Sequence, residues 1–122
     1  MKSRDTGVKR ILKAFTYSYA GFVSAFKSEE AFRQDIALCG IMAGIAVWLD
    51  VSAVQTALLF SSLLLILLME LVNTAIEVII DRISEEYHEL SKKAKDIGSL
   101  LVLLAFMYAL IIWGAVLYTK FG

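Results

Sequence analysis

VSAVQTALLFSSLLLILLM, residues 51–69, runs without a break into ELVNTAIEVIID, residues 70–81. The first segment carries no charge, and its length is close to the ~20 residues that a helix needs to cross the hydrocarbon of a bilayer. Continuing that helix at about 100° per residue brings Glu70, Asn73, Glu77 and Asp81 within an arc of about 80°. Three carboxylates and an amide then form one stripe at one end of a membrane helix. An ionisable group at that depth is costly unless paired, hydrated or metal-bound, so it marks a functional site by default. A polar seam that merely holds helices together is the plainer reading. Two acids with an amide at three- and four-residue spacing favour oxygen ligands for a hard cation.

The rest of the chain suits a membrane. Hydrophobic residues make up 59% of the 122, and mean hydropathy is +0.72, too apolar for a soluble domain of this size. Twelve Lys and Arg balance twelve Asp and Glu, so net charge points to no partner, and no nucleic acid is expected. Uncharged runs occupy residues 36–49, 51–69 and 97–119. The first is short, so its helix must extend back through Ala31, Phe32, Arg33, Gln34 and Asp35. Asp50, with Ser52 and Gln55 at capping-box spacing, marks a tight turn between the first two spans. Seven of the Lys and Arg residues precede residue 36, four lie between 82 and 95, and the last is Lys120. That asymmetry puts the N-terminus in the cytoplasm and the C-terminus outside. The expectation is an all-α membrane protein of one domain over 1–122. It has a surface helix at about 8–27 and transmembrane helices at about 31–49, 53–81 and 95–119. Asp81 then sits at the cytoplasmic mouth, with Glu70 roughly 16 Å deeper at about 1.5 Å per residue.

Taken in order, the polar opening, residues 1–7, has no apolar core or small-residue cleavage site and is not read as a signal peptide. Val8, Ile11, Leu12, Phe15, Tyr19, Phe22, Val23 and Phe26 recur at helical spacing, with Lys9, Arg10, Lys13 and Ser18 elsewhere, as in a helix lying on a membrane surface. Ser28 reads as a helix cap, followed by Glu29 and Glu30 in a first turn. Gly40 and Gly44 form a close-packing GxxxG pair. Cys39 is the only cysteine, which rules out a disulfide within the chain. Trp48, Trp113 and Tyr118 suit an outer aromatic belt. Residues 82–95 are charged and without Gly or Pro, so they read as helical extensions meeting at a short turn, in which His88 is simply solvated. Lys95 either snorkels or stands across from the acidic stripe, where a phosphate would fit between that cation and a carboxylate-bound metal.

ExxNTAIE at 70–77, EYHELS at 86–91 and AKD at 94–96 resemble the small prokaryotic membrane diacylglycerol kinases, a superfamily shared with the undecaprenol kinases. The resemblance covers nearly the whole chain, including AFRQ at 31–34 and WLDV at 48–51, and YHEL at 87–90 and IGS at 97–99 look closer to the diacylglycerol branch. It implies transfer of the γ-phosphoryl of Mg-ATP to the hydroxyl of diacylglycerol, giving phosphatidic acid. It also implies a homotrimer of three-span subunits in the inner membrane, each with an N-terminal surface helix. Glu70 would be the general base, Asn73 would lie close to the transferring phosphoryl, and Glu29 and Glu77 would bind Mg2+. Lys95 and Asp96 would contact the nucleotide, as would Arg10, Tyr17, Glu86, Tyr87 and His88. The lipid would meet Arg10, Ala14, Phe15, Thr16, Tyr17, Ser18, Tyr19, Val23, Ser24, Ala25 and Phe26 on the surface helix. Ala31, Phe32, Arg33, Gln34, Asp35, Glu70 and Ser99 would complete its surroundings. Asp35 stands where the family pattern has Glu, Tyr19 where it has Trp, and Lys92-Lys93 where it has Gly-Arg.

The residues themselves support that chemistry. The chain has no GxxxxGK[ST] loop to cradle phosphates. Phosphoryl transfer asks for in-line positioning, charge neutralisation and a destination for the hydroxyl proton, and the stripe with Lys95 offers the last two. Undecaprenol or another lipid alcohol is the alternative acceptor. A small cation- or proton-coupled transporter would need an acid near mid-membrane and openings on both faces, whereas these acids crowd one face. A non-catalytic membrane scaffold is the third reading.

Overall fold

A computed structural model describes residues 6–122; the expectation for the polar opening falls largely on residues 1–5, outside them. Four helices follow in order: α1 (Gly7–Ser28), α2 (Glu30–Trp48), α3 (Ala53–Ile83) and α4 (Glu89–Phe121). The last three are each long and apolar enough to cross a membrane.

The joints between helices are short and internally bonded. Glu29 alone separates α1 from α2, with an extended φ of −112°. The expected cap, Ser28, instead ends α1, because the Glu29 N–H still donates to Ala25 O at 2.9 Å and keeps Ser28 inside the helical ladder. Arg33 reaches back from α2, its Nη1 donating to Phe26 O at 2.7 Å and Lys27 O at 3.1 Å. It thereby satisfies carbonyls that a helix end leaves open. Between α2 and α3, Asp50 takes a left-handed φ of 53°, which Asp tolerates better than most residues. The capping box forms as expected: Gln55 N–H donates to Ser52 Oγ at 3.1 Å, and Ser52 N–H donates to Gln55 Oε1 at 3.2 Å. The third joint spans residues 84–88, so α4 starts six residues ahead of the expected 95. There His88 Nδ1 accepts the Leu90 N–H at 3.0 Å. His88 is thus exposed, but it is the N-cap of α4 rather than a loop residue serving only solvent.

The core lies along α3, which packs most heavily on α4 and next on α2. Leu59, Leu63 and Ile66 of α3 meet Ala105, Ala109, Trp113 and Val116 of α4, with Cys39, Ala46 and Leu49 of α2 on the other side. The Cys39 thiol donates to Leu63 O at 3.7 Å. Trp113 Nε1 donates to Ser62 Oγ at 3.0 Å, and that hydroxyl donates onward to Leu59 O at 2.7 Å. This bond corrects one expectation. Trp113 is 6% exposed and points into the bundle, whereas Trp48 and Tyr118 are 76% and 77% exposed. Gly40 and Gly44 differ from expectation too: a Cβ at either would meet nothing within 4 Å. They lie about 100° or more round α2 from Cys39 and Ala46, so within one chain the pair packs on nothing.

Ser62→Ala leaves the Trp113 N–H buried without an acceptor, an omission costing about 1–3 kcal/mol. Heat unfolding in detergent should show the variant less stable than the parent, and an unchanged transition would remove Ser62 from the core's hydrogen bonding.

Candidate functional site

The polar stripe of α3 is graded by exposure. Glu70 is buried, Asn73 and Glu77 are half-buried, and Asp81 is exposed. The buried residues Leu59, Leu63, Ile66, Glu70 and Ile80 share one face with Asn73 and Glu77, since each follows the last by three or four residues. The face that packs apolar side chains in mid-helix therefore carries the carboxylates at its end.

Glu70 does not stand alone. The Asp35 carboxyl of α2 comes face to face with it, and Glu77 and Glu29 are near enough to act on it electrostatically. Glu29 arrives there because the α1–α2 joint is one residue long and held by Arg33. Asn73 Nδ2 donates to Glu77 Oε1 at 3.3 Å, steadying that carboxylate while leaving Oε2 for another partner. Asp35 Oδ2 and Asn73 Oδ1 are buried and take no hydrogen bond. Carboxyls gathered this closely need a proton, a cation or donors among them. No three His, Cys, Asp or Glu side chains among the described residues converge enough to hold a metal alone. That donor set fits magnesium, which is commonly held by one or two carboxylates plus the phosphates of its substrate.

At the exposed end, Lys95 Nζ pairs with Asp81 Oδ1 at 3.0 Å, tying α4 to α3, and Lys92 Nζ pairs with Asp96 Oδ2 at 2.6 Å. Beside them opens a hollow of about 440 Å³ lined by Glu86, Tyr87, His88, Ser91, Lys95 and Asp96, among others. The expected nucleotide residues of the third joint and of α4 thus share one concavity.

The residues expected on the first helix sit apart from this cluster, because α1 packs chiefly on α2. Arg10, Ala14, Phe15, Thr16, Tyr17, Ser18, Tyr19 and Ser24 are exposed, Val23 is half-buried and Ala25 is buried. Phe22 stacks with Phe26 at a centroid distance of 6.0 Å and meets the buried Phe32 edge-on at 5.8 Å. Ala31 and Gln34 are exposed on α2, and Ser99 is exposed on α4. Arg33 is engaged by the α1 carbonyls. Two features of the cluster were not read from sequence. Asp35 faces Glu70 from another helix, and its one signal was being an acid at the edge of an uncharged run. Gly98 lies buried against Asn73, and its glycine inside an otherwise regular helix was the available sign.

Comparison with known proteins bears on the family. A family model described as prokaryotic diacylglycerol kinase matches residues 16–117. Diacylglycerol kinase of Escherichia coli strain K12 is 46% identical over 122 residues, covering 100% of both chains. Diacylglycerol kinase of Pseudomonas aeruginosa is 46% identical over 113 residues, 93% of this chain and 92% of the relative. The Haemophilus influenzae protein of that name is 39% identical over 115 residues, 94% of this chain and 98% of its own length.

Proposed function

The chain belongs to the prokaryotic diacylglycerol kinase family, and we propose that it moves the γ-phosphoryl group of ATP to the free hydroxyl of diacylglycerol. The products are phosphatidic acid and ADP. One observation carries the reading: the polar groups of α3 are ordered from the buried Glu70, through Asn73 and Glu77, to the exposed Asp81 with its partner Lys95. A membrane-embedded alcohol and a water-soluble phosphate donor approach from opposite ends of such a series.

Glu70, deepest in the stripe, takes the proton of the lipid hydroxyl as its oxygen forms a bond to the γ-phosphorus. The bond from that phosphorus to the bridging oxygen of ADP breaks, and ADP leaves with the electron pair. Asn73 lies beside the moving phosphoryl and steadies Glu77. Glu29 and Glu77 would hold magnesium, which would neutralise phosphate charge there. Lys95 and Asp96 contact the nucleotide, together with Arg10, Tyr17, Glu86, Tyr87 and His88. The first helix, with its basic and aromatic residues, lies on the cytoplasmic surface of the inner membrane and guides the lipid toward Asp35 and Glu70.

The working unit is a homotrimer with sites shared between neighbours. A thin bundle of three spans hardly encloses an acidic stripe, and unpaired carboxylates facing hydrocarbon are not tolerated. Within one chain Lys95 is engaged by Asp81 rather than by Glu70 or Glu77.

Detergent-solubilised protein given radiolabelled ATP should label diacylglycerol in preference to undecaprenol. Label on undecaprenol alone would move the chain to the other branch, and no labelled lipid would end the kinase reading. Glu70→Gln should lower turnover by about 100-fold or more, the range of a lost general base, with assembly and nucleotide binding retained. Near-normal turnover would remove the base role. Glu77→Gln should instead raise the magnesium concentration needed for half-maximal nucleotide binding, and an unmoved titration would make Glu77 structural. Glu70→Gln and Lys95→Leu chains, each inactive, should regain activity when mixed unfolded and refolded together, because shared sites leave some free of both defects. A mixture inactive at every ratio, despite cross-linking that shows mixed trimers, would overturn sharing for that pair.

A further inference from the structure

We propose that Gly98 is a positioning residue for the phosphoryl-transfer reaction, its missing side chain holding the Asn73 amide against α4 with its NH2 turned to Glu77. The inference rests on the reading of Asn73 and Glu77 given above. Glycine within a helix is less favourable than alanine by about 1 kcal/mol, so a buried one inside α4 asks for a cause. Backbone geometry supplies none, since Gly7 is the only described glycine with positive φ. Packing does. A Cβ on Gly98 would collide with Asn73 Oδ1, lie 3.3 Å from Asn73 Cγ and stand 3.5 Å from Ile76 Cδ1. A Cβ at the helical glycines Gly21, Gly40, Gly44 or Gly114 would meet nothing within 4 Å.

The obstructed atom ends a flexible side chain. A methyl group at 98 therefore pushes the amide aside and leaves the helices packed. The displaced amide loses its 3.3 Å bond to Glu77 Oε1, and the carboxylate loses the donor that orients it. Asn73 Oδ1, buried without a hydrogen-bond partner, occupies the space that a side chain at 98 would take. Gly98 also stands three residues beyond Lys95, so the same close approach sets the level at which α4 offers its charged turn to α3.

The test compares Gly98→Ala, Asn73→Ala and the double variant as full-length protein in detergent. Gly98→Ala should shift the Asn73 side-chain amide signals in nitrogen-edited NMR and lower kcat about tenfold. It should raise the magnesium midpoint for binding a non-hydrolysable ATP analogue and leave the lipid KM within about twofold. In the Asn73→Ala background the same change should cost nothing further, because the residue it acts through is gone. Unmoved Asn73 signals, or equal losses in both backgrounds, would overturn the proposal. If Gly98→Ala alone fails to assemble, Asn73→Ala must restore assembly in the double variant, and failure to do so overturns it as well. Native kcat in Asn73→Ala alone would show that the functional reading of Asn73 is wrong, a failure visible without reference to Gly98.

Discussion

Hydrocarbon solvates a methyl group but not a carboxylate, and α3 carries both on one helix. Its uncharged residues 51–69 lead directly into Glu70 and Glu77, so the last turns must face protein, water or a partner ion. That requirement fixes the rotation of α3. Once Glu70 turns inward, helical geometry turns Ile66, Leu63 and Leu59 inward with it, and these are the residues that α2 and α4 cover. A single stripe therefore serves two chemistries, apolar packing in mid-helix and polar work at the end.

The facing surface of α4 answers in kind. Gly98, Ala105 and Ala109 are small and buried; Gly98 lets α4 come close to the Asn73 amide, and the two alanines pack on the apolar residues of α3. Farther along, the buried Trp113 is fastened to α3 by its bond to Ser62. Lys120 Nζ reaches Asp50 O at 3.5 Å, closing the far end of the bundle. The site thus lies at the end of the α3–α4 seam where Gly98 meets Asn73, and the bonds of Trp113 and Lys120 tie the other end together.

Much of this was legible in the chain because it is periodic or local. Charge-free runs mark the three long helices, and the Ser52–Gln55 box marks its turn. The spacing of Glu70, Asn73 and Glu77 puts them on one face wherever that face points. What escaped reading depends on which residue of one helix meets which of another. Trp113 is of the type found in belts, but it packs in the core against α2 and α3 and bonds to Ser62, 51 positions away. Asp35 and Glu70 are likewise brought together by packing that no single-helix pattern encodes. Ser28 and His88 show the local version: Ser28 has the better capping side chain, but the α1 ladder runs past it, while His88 stands extended before the first turn and caps α4 by accepting the Leu90 N–H on Nδ1.

Residues 49–52 are all that joins α2 to α3. The link holds one charge, Asp50, and it bonds its own backbone: Asp50 N–H donates to Val47 O at 3.3 Å, and the Ser52 box satisfies the start of α3. A segment so short and so nearly neutral, with Asp50 N–H and Ser52 N–H already bonded, costs less to place in a bilayer than a longer charged loop. The two helices can therefore enter a bilayer together as one hairpin, with the link at its tip and no separate cost for burying open backbone at the bend.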